Sequence, residues 1–276
     1  MTVAGLPLPD IAGLLAALVA AGLFGGLIAG LFGVGGGTVI VPALFYAFTT
    51  LGVGGESNLH VAIGSSLLTI VATSWRSLHA HRSHGAVDEQ VLQSWTPWVG
   101  FGALIGALVA GLTSMAGLAL VYGGCLILIS AQMGLLPERF TLRPDLPTGW
   151  ARRITGTIIG GLSAMMGIGG GSFGGMMMTL CGRPIHQAVA TASGFGLAIG
   201  SAATLGFIAF GWGAEGRPPF SLGYVNVPAA IILGLLTTLS APWGAKLAHS
   251  LSRTTLRRSF AFYLLVTAGL VLAKAL

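Results

Sequence analysis

Charged side chains are scarce in this sequence: they make up 7% of its 276 residues, whereas 54% of the residues are hydrophobic. An average soluble domain has roughly 25% charged residues, so this chain has too few to cover a water-exposed surface. Apolar runs recur along almost the whole sequence and leave no stretch for a separate soluble module. We therefore predict a single transmembrane domain over residues 1–276.

Acidic residues are the scarcest charged group, and by sequence each falls in a loop or at the end of an apolar segment. The seven are Asp10, Glu56, Asp88, Glu89, Glu138, Asp145 and Glu215. Proton and cation carriers usually place a carboxylate inside the membrane, where it would repel an anion. The pattern therefore favours an anion over a cation. The sequence also has no Ser-His-Asp order, Walker loop or zinc-binding helix motif, so nothing in it points to an enzyme or a cofactor.

Strands that alternate polar and apolar residues are lacking too, so the chain would cross a bilayer as helices. The predicted segments are 11–32, 38–51, 61–76, 92–112, 116–134, 151–166, 171–182, 187–211, 225–243 and 258–276. A spanning helix needs about 20 residues, and segments 38–51 and 171–182 are shorter than this. Each of these two is either a half-helix or a crossing completed by irregular backbone.

Both short segments follow a glycine cluster of the same form. The first glycine cluster is Gly33-Val-Gly-Gly-Gly37, and the second is Gly167-Ile-Gly-Gly-Gly171. The similarity continues downstream, since His60-Val-Ala-Ile-Gly-Ser aligns with His186-Gln-Ala-Val-Ala-Thr. The sequence therefore predicts an internal repeat of about five segments, with repeat one over about 1–134, a cytoplasmic linker over about 135–150 and repeat two over about 151–276.

The basic residues stand singly or in pairs beside apolar runs, so they indicate membrane topology rather than nucleic-acid binding. Ten crossings from an external N-terminus place every Lys and Arg in cytoplasmic loops except Arg217 and Lys274. Because five crossings per repeat is an odd number, the repeats would be inverted, as in alternating-access transporters. If both short segments re-enter instead, the repeats would be parallel, and the charges do not exclude this alternative.

The glycine clusters are the strongest candidate for a binding site. Consecutive glycines favour a helix break, and a break at membrane depth exposes backbone N–H groups. Half-helices that begin at Thr38 and Ser172 would aim N–H groups and positive dipole ends at the break, which suits an anion. Close helix packing through small residues is the alternative interpretation. The candidate substrate-binding residues here are Gly35, Gly36, Gly37, Thr38, Gly169, Gly170, Gly171 and Ser172.

Four further polar residues occupy matched positions in the two repeats. Ser65 and Thr191 could complete the shell of an anion, although a helix hydroxyl more often bonds to a carbonyl of its own helix. His60 and His186 are candidates for pH sensing or gating, and a histidine at a helix end by the membrane interface is the alternative.

Two other functions stay open at this point. The loop histidines and a methionine-rich stretch suit a soft-metal or cation transporter, although no ligand spacing defines a metal site. The other alternative is a non-transporting membrane scaffold, which would gain nothing from the glycine breaks.

The sequence resembles the sulfite exporter TauE/SafE family of membrane permeases in four features. These are the paired glycine clusters, Val41-Pro42 after the first cluster, the matched His blocks, and the closing Gly244-Ala-Lys-Leu-Ala and Leu256-Arg-Arg-Ser-Phe. The resemblance covers nearly the whole chain. The two repeats differ at one position of this pattern, because the second repeat has Met176 where the first has Pro42.

The resemblance implies a multi-pass transporter of sulfite, thiosulfate, sulfonates or related organic anions in a bacterial inner membrane. It also implies that both glycine clusters lie at the translocation site. An inside-negative membrane potential drives anions outward, which favours export. The expected partners are a small anion and the lipid bilayer, with no nucleic acid. The sequence does not decide the oligomeric state, and a homodimer stays open.

Overall fold

The architecture is almost entirely α-helical. The structure is a computed structural model that describes residues 2–3, 6–32, 36–135, 141–250 and 253–276. Four two-residue strands in these ranges form two antiparallel hairpins, β1 (Thr2–Val3) with β2 (Leu6–Pro7) and β3 (Ser221–Leu222) with β4 (Val225–Asn226). The ten helices in the same ranges are α1 (Leu8–Phe32), α2 (Gly37–Thr50), α3 (Asn58–Ser83), α4 (Glu89–Leu112), α5 (Met115–Leu135), α6 (Gly149–Met166), α7 (Phe173–Leu180), α8 (Ile185–Phe210), α9 (Val227–Ser250) and α10 (Arg253–Ala275).

Six helices in the described ranges are long and apolar enough to cross a membrane: α3, α4, α5, α8, α9 and α10. Large apolar side chains face outward along them, including Phe101 at 54% exposure and Leu128 and Phe262 at 69% each. Water would make such a surface a large exposed apolar patch, whereas lipid hydrocarbon solvates it. The predicted all-α polytopic membrane fold is therefore confirmed.

Helices α3 and α8 pack antiparallel at the centre of the bundle. A Cβ on Gly200 of α8 would come within 3.1 Å of the Leu67 carbonyl oxygen of α3, so the two backbones nearly touch. Further along α3, Ser74 lies beside Gly196. Small residues allow this approach, and van der Waals contact between helices is a main source of stability in lipid.

Helix α1 runs parallel to α9 through a contact that depends on glycine. A Cβ on Gly26 would collide with the backbone of Thr237, and a Cβ on Gly244 would collide with the Leu27 carbonyl oxygen. Residue numbers rise together along both helices from the first contact to the second. The two helices therefore point the same way.

Helix α4 packs against α6 in the same manner. A Cβ on Gly160 would collide with the Val99 carbonyl oxygen, and one on Gly106 would collide with the Gly161 carbonyl oxygen. Numbers again rise together, so α4 and α6 are parallel. Gly160 and Gly161 are consecutive, as are the two α1 residues in the α1–α9 contact.

Helices α5 and α10 pack antiparallel. Ser130 of α5 donates a hydrogen bond of 2.7 Å to the Ala261 carbonyl of α10, while a Cβ on Gly123 would contact Leu272. Helices α1 and α2 also run in opposite directions. The side chain of Leu51, just beyond α2, lies beside Gly13 near the start of α1.

Candidate functional site

The second glycine cluster forms a non-helical turn in the protein interior. Helix α6 ends at Met166, and Gly167 has a φ of 64°, a left-handed conformation that favours glycine. Helix α7 begins only at Phe173, so residues 167–172 connect the two helices. Residues 167–170 are buried. Irregular backbone at membrane depth is tolerated where protein covers it or where it lines a cavity.

The first glycine cluster lies partly outside the described residues, which omit Gly33, Val34 and Gly35. Gly36 is the N-terminal cap of α2, and Gly37 is the first residue of that helix. Gly37 packs directly on the Gly167 carbonyl oxygen, where a Cβ would not fit. The described part of the first cluster therefore touches the second cluster.

A cavity of about 580 Å³ lies where the two clusters meet. Its wall includes Gly36 from the first cluster and Gly169, Gly170 and Gly171 from the second. Helices α1, α3, α8 and α9 supply the rest of the wall. Gly35 lies outside the described residues, and Gly37 packs beside the cavity rather than lining it.

The cavity wall is mostly apolar, but it includes hydroxyl and basic residues. Six hydroxyl side chains face it, from Thr73, Ser74, Ser77, Ser193, Thr237 and Thr238. Arg76 and His81 are the basic residues in the wall, and no carboxylate from the described residues lines it. Thr73, Ser193 and Thr237 donate to carbonyls of their own helices, so the basic residues and the other three hydroxyls are the groups that could meet an anion.

Arg76 is the functional candidate that the sequence reasoning missed, because it counted only as a topology signal there. One signal could have identified it. Thr73 precedes Arg76 by three residues, which places the two on one helix face, and Ser74 and Ser77 are close to Arg76 in sequence. Such a cluster of polar residues beside an arginine is unusual in an apolar segment.

Two neighbouring glycines of the second cluster, Gly169 and Gly170, have different surroundings in the structure. A Cβ on Gly169 would meet only Ile70 Cγ2, at an ordinary 3.4 Å. A Cβ on Gly170 would come within 2.6 Å of the Ala192 carbonyl oxygen and of the Gly196 nitrogen, so this glycine permits packing against α8. The alternative of close packing therefore applies to Gly170.

Thr38 and Ser172 lie at the starts of α2 and α7 and do not line the cavity. Their side chains are 2% and 8% exposed, and neither hydroxyl oxygen has a hydrogen-bond partner in the described part of the chain. A buried polar group without a partner costs about 1–3 kcal/mol. Matched positions in the two halves thus carry the same unsatisfied group.

Ser65 and Thr191 lie away from the cavity wall and hold other segments in place. The Ser65 hydroxyl donates to the Val61 carbonyl at 2.6 Å and accepts a hydrogen bond of 2.8 Å from the Asn226 N–H. The Thr191 hydroxyl accepts one of 2.9 Å from the Asp88 N–H at the start of α4. Both hydroxyl groups therefore have partners within the protein.

The two matched histidines have different environments. His60 is 5% exposed, and its Nε2 atom lies 3.0 Å from both the Ala110 and Thr113 carbonyl oxygens, to which an N–H there donates. The His60 ring also packs on Tyr224, with 4.9 Å between ring centroids. His186, at the start of α8, is exposed. Neither histidine lines the cavity.

The family model for sulfite exporter TauE/SafE matches residues 18–271 of the chain. The chain belongs to the sulfite exporter TauE/SafE family. A probable membrane transporter protein of Haemophilus influenzae is 31% identical over 90% of this chain and 94% of its own. One from Methanocaldococcus jannaschii is 26% identical over 88% and 90%, and Bacillus subtilis YunE is 32% identical over 63% and 71%. No solved structure matches the chain.

Family membership confirms the resemblance that the glycine clusters and the closing basic segments indicated. The match covers five of the six long apolar helices of the described ranges and most of the sixth, α10. As a member of the TauE/SafE family with these spans, the protein is a multi-pass membrane transporter.

Proposed function

We propose that the protein carries a small anion of the sulfite, thiosulfate or sulfonate class out of the cell across the bacterial inner membrane. The anion binds in the cavity between the two glycine clusters. The observation that carries this proposal is the composition of the cavity wall. It combines Gly36 and Gly169–Gly171 with Arg76 and six hydroxyl groups, and no carboxylate of the described residues lines it.

Two helix contacts agree with the predicted inverted repeat and so support the proposal. The α1–α9 and α4–α6 contacts are both parallel and both place consecutive residues of one helix against a glycine-containing partner. If α1 corresponds to α6 and α4 corresponds to α9, exchanging the two halves of the chain converts the α1–α9 contact into the α4–α6 contact. The helix directions alternate along the chain, so five helices leave the second half in the opposite orientation from the first.

The cavity lies toward one end of α3. It extends to Arg76 and His81 near the end of α3, beside the α3–α4 connection. On the other face of the bundle, the positions that match the cavity wall when the two halves are exchanged hold Leu67, Val99 and Ala103. All three residues are 0% exposed. The positive-inside rule assigns the α3–α4 connection to the cytoplasm. This conformation therefore suits loading of the substrate from inside the cell.

Export needs no coupling ion in this proposal. A membrane potential of 100 mV, inside negative, contributes about 2.3 kcal/mol per elementary charge to outward movement of an anion. The alternative of a soft-metal carrier gains no support from the methionines, since Met166 and Met178 are 0% and 1% exposed and pack in the apolar core. Methionine fills irregular gaps in such cores.

Transport by purified protein in liposomes tests the proposal. The liposomes are loaded with sulfite, thiosulfate or sulfoacetate, and efflux is measured with and without an imposed inside-negative potential. We expect saturable efflux of at least one of these anions, and we expect the potential to accelerate it. Protein-free liposomes are the control. Folded protein that neither binds nor releases any of the three anions would refute the proposal.

A further inference from the structure

We propose that Arg76 binds the acid group of the substrate and that the cavity accepts simple anions but rejects zwitterions. This inference rests on the proposed anion transport and narrows its substrate class. It assigns to Arg76 the role of a specificity-determining residue. It also predicts that a sulfonate with an ammonium group is excluded, whatever its size.

Arg76 on α3 lines the same cavity as Gly169, Gly170 and Gly171 of the glycine turn. Ile70 on the same helix is the residue closest to Gly169, because a Cβ there would lie 3.4 Å from Ile70 Cγ2. Arg76 follows Ile70 by six residues, or about 9 Å at about 1.5 Å per residue. Helix side chains lean toward the N-terminus of their helix, so the Arg76 side chain leans along the helix axis toward the level of Ile70.

The charge of Arg76 is available to a ligand. The guanidinium group forms no ion pair or hydrogen bond with any group in the described part of the chain. A guanidinium carries fixed positive charge and donates two parallel hydrogen bonds to one carboxylate, sulfonate or similar oxyanion. An unpaired arginine in the cavity wall is therefore a suitable anchor for an acid group.

Hydroxyl groups next to Arg76 complete the anchor. Ser74 and Ser77 line the cavity, and their hydroxyls have no hydrogen-bond partner within the described residues. Ser74 and Ser77 are three residues apart and share one face of α3, and Arg76 lines the same cavity. Thr73 differs, because its hydroxyl already donates to its own helix at 3.2 Å from the Thr69 carbonyl. Two free hydroxyls and one guanidinium match the several acceptor oxygens of an oxyanion.

A substrate ammonium group has no comparable partner. No carboxylate from the described residues lines the cavity, and the fixed charge of Arg76 repels a second cation. Moving an ammonium group out of water without a counter-charge is unfavourable. The same wall that attracts an anion thus disfavours a zwitterion.

The matched pair of ethanesulfonate and taurine tests the inference, because taurine adds an ammonium group to the same two-carbon sulfonate. Binding of each is measured by calorimetry on the purified full-length protein and on variants of similar thermal stability. We expect the parent protein to bind ethanesulfonate and not taurine. Arg76→Gln should weaken ethanesulfonate binding about 10-fold to 100-fold, the range for a hydrogen bond to a charged group. Arg76→Lys should retain part of the affinity.

Arg82→Gln is the matched control on the same helix. Arg82 does not line the cavity and pairs with Glu89 at 2.7 Å on the surface, where such pairs contribute little to stability. We expect this variant to bind ethanesulfonate like the parent.

The outcomes separate the inference from the proposed function. Parent protein that binds no sulfite, thiosulfate or sulfonate would overturn both. Normal ethanesulfonate binding by Arg76→Gln would overturn the role of Arg76 and leave anion transport standing. Equal binding of taurine and ethanesulfonate by the parent would overturn the exclusion of zwitterions. If Arg76→Gln and Arg82→Gln weaken ethanesulfonate binding equally, the cause is general surface charge. That result would also overturn the role assigned to Arg76.

Discussion

Neighbouring glycines in the second cluster should respond in opposite ways to substitution. Gly169 faces the cavity, so Gly169→Leu should fill space that the anion needs while the fold is retained. Gly170 faces α8, so even Gly170→Ala should destabilise the protein. The reason lies in what a new Cβ meets: one carbon at 3.4 Å beside Gly169, but backbone atoms at 2.6 Å beside Gly170.

The sizes of the two effects follow from these distances. A contact of 3.4 Å is ordinary van der Waals contact, so Gly169→Ala should change stability by less than about 0.5 kcal/mol. Backbone atoms at 2.6 Å cannot rotate away, so Gly170→Ala forces α7 and α8 apart. Overpacking of this kind costs about 1–3 kcal/mol. The additional carbons of Gly169→Leu extend into the cavity, where we expect them to abolish anion binding.

Thermal unfolding and anion affinity are measured on the same preparations. Gly124→Leu serves as the control, because nothing lies within 4 Å of a Cβ on Gly124 and this residue is remote from the cavity. It should melt and bind like the parent. Gly169→Leu with parent-like affinity would show that the site lies elsewhere. Gly170→Ala with a parent-like melting temperature would show that the close packing on α8 is not needed.

Three further predictions concern other parts of the chain. Ser65→Ala should lower stability by about 1–3 kcal/mol with unchanged anion affinity, because the Asn226 N–H loses its acceptor; a fall in affinity at unchanged stability would contradict this. Glu56→Gln and Glu215→Gln should each leave efflux intact, and loss of efflux in either, at normal protein levels, would reveal a coupling carboxylate. His84→Cys should react with an impermeant thiol reagent from the cytoplasmic side only, and labelling from outside alone would reverse the topology.

The helices were predictable from the sequence because apolar runs and glycine clusters mark them directly. Segment 116–134 corresponds to Met115–Leu135, and segment 151–166 corresponds to Gly149–Met166. The prediction for α3 was shorter, at 61–76 instead of Asn58–Ser83. Hydropathy stops at the polar residues of both ends, but the helix continues through them. The polar residues at the two ends of α3 face the cavity and a connecting loop rather than lipid.

The candidate site was only partly predictable. The clusters predicted helix breaks; the second cluster lies between α6 and α7, and Gly33 to Gly35 of the first lie outside the described residues. Gly36, Gly169, Gly170 and Gly171 line the cavity. The partners of Ser65 and Thr191 could not be foreseen, since Asn226 and Asp88 are distant in sequence and only the folded chain brings them close. Periodicity within one segment contains no information on such contacts.

The helix pairing has a consequence for how the transporter can move. Helix α1 packs on α9, and α4 packs on α6. In both pairs a helix of one half contacts a helix of the other half through glycines, and the contact leaves no room for a side chain. The halves therefore cannot rock apart as two separate bodies without breaking these contacts. The moving units must be mixed, with α1 and α9 travelling together and α4 and α6 travelling together. A disulfide that joins α1 to α9 should consequently be compatible with transport, whereas one that joins α1 to α3 across the cavity should arrest it.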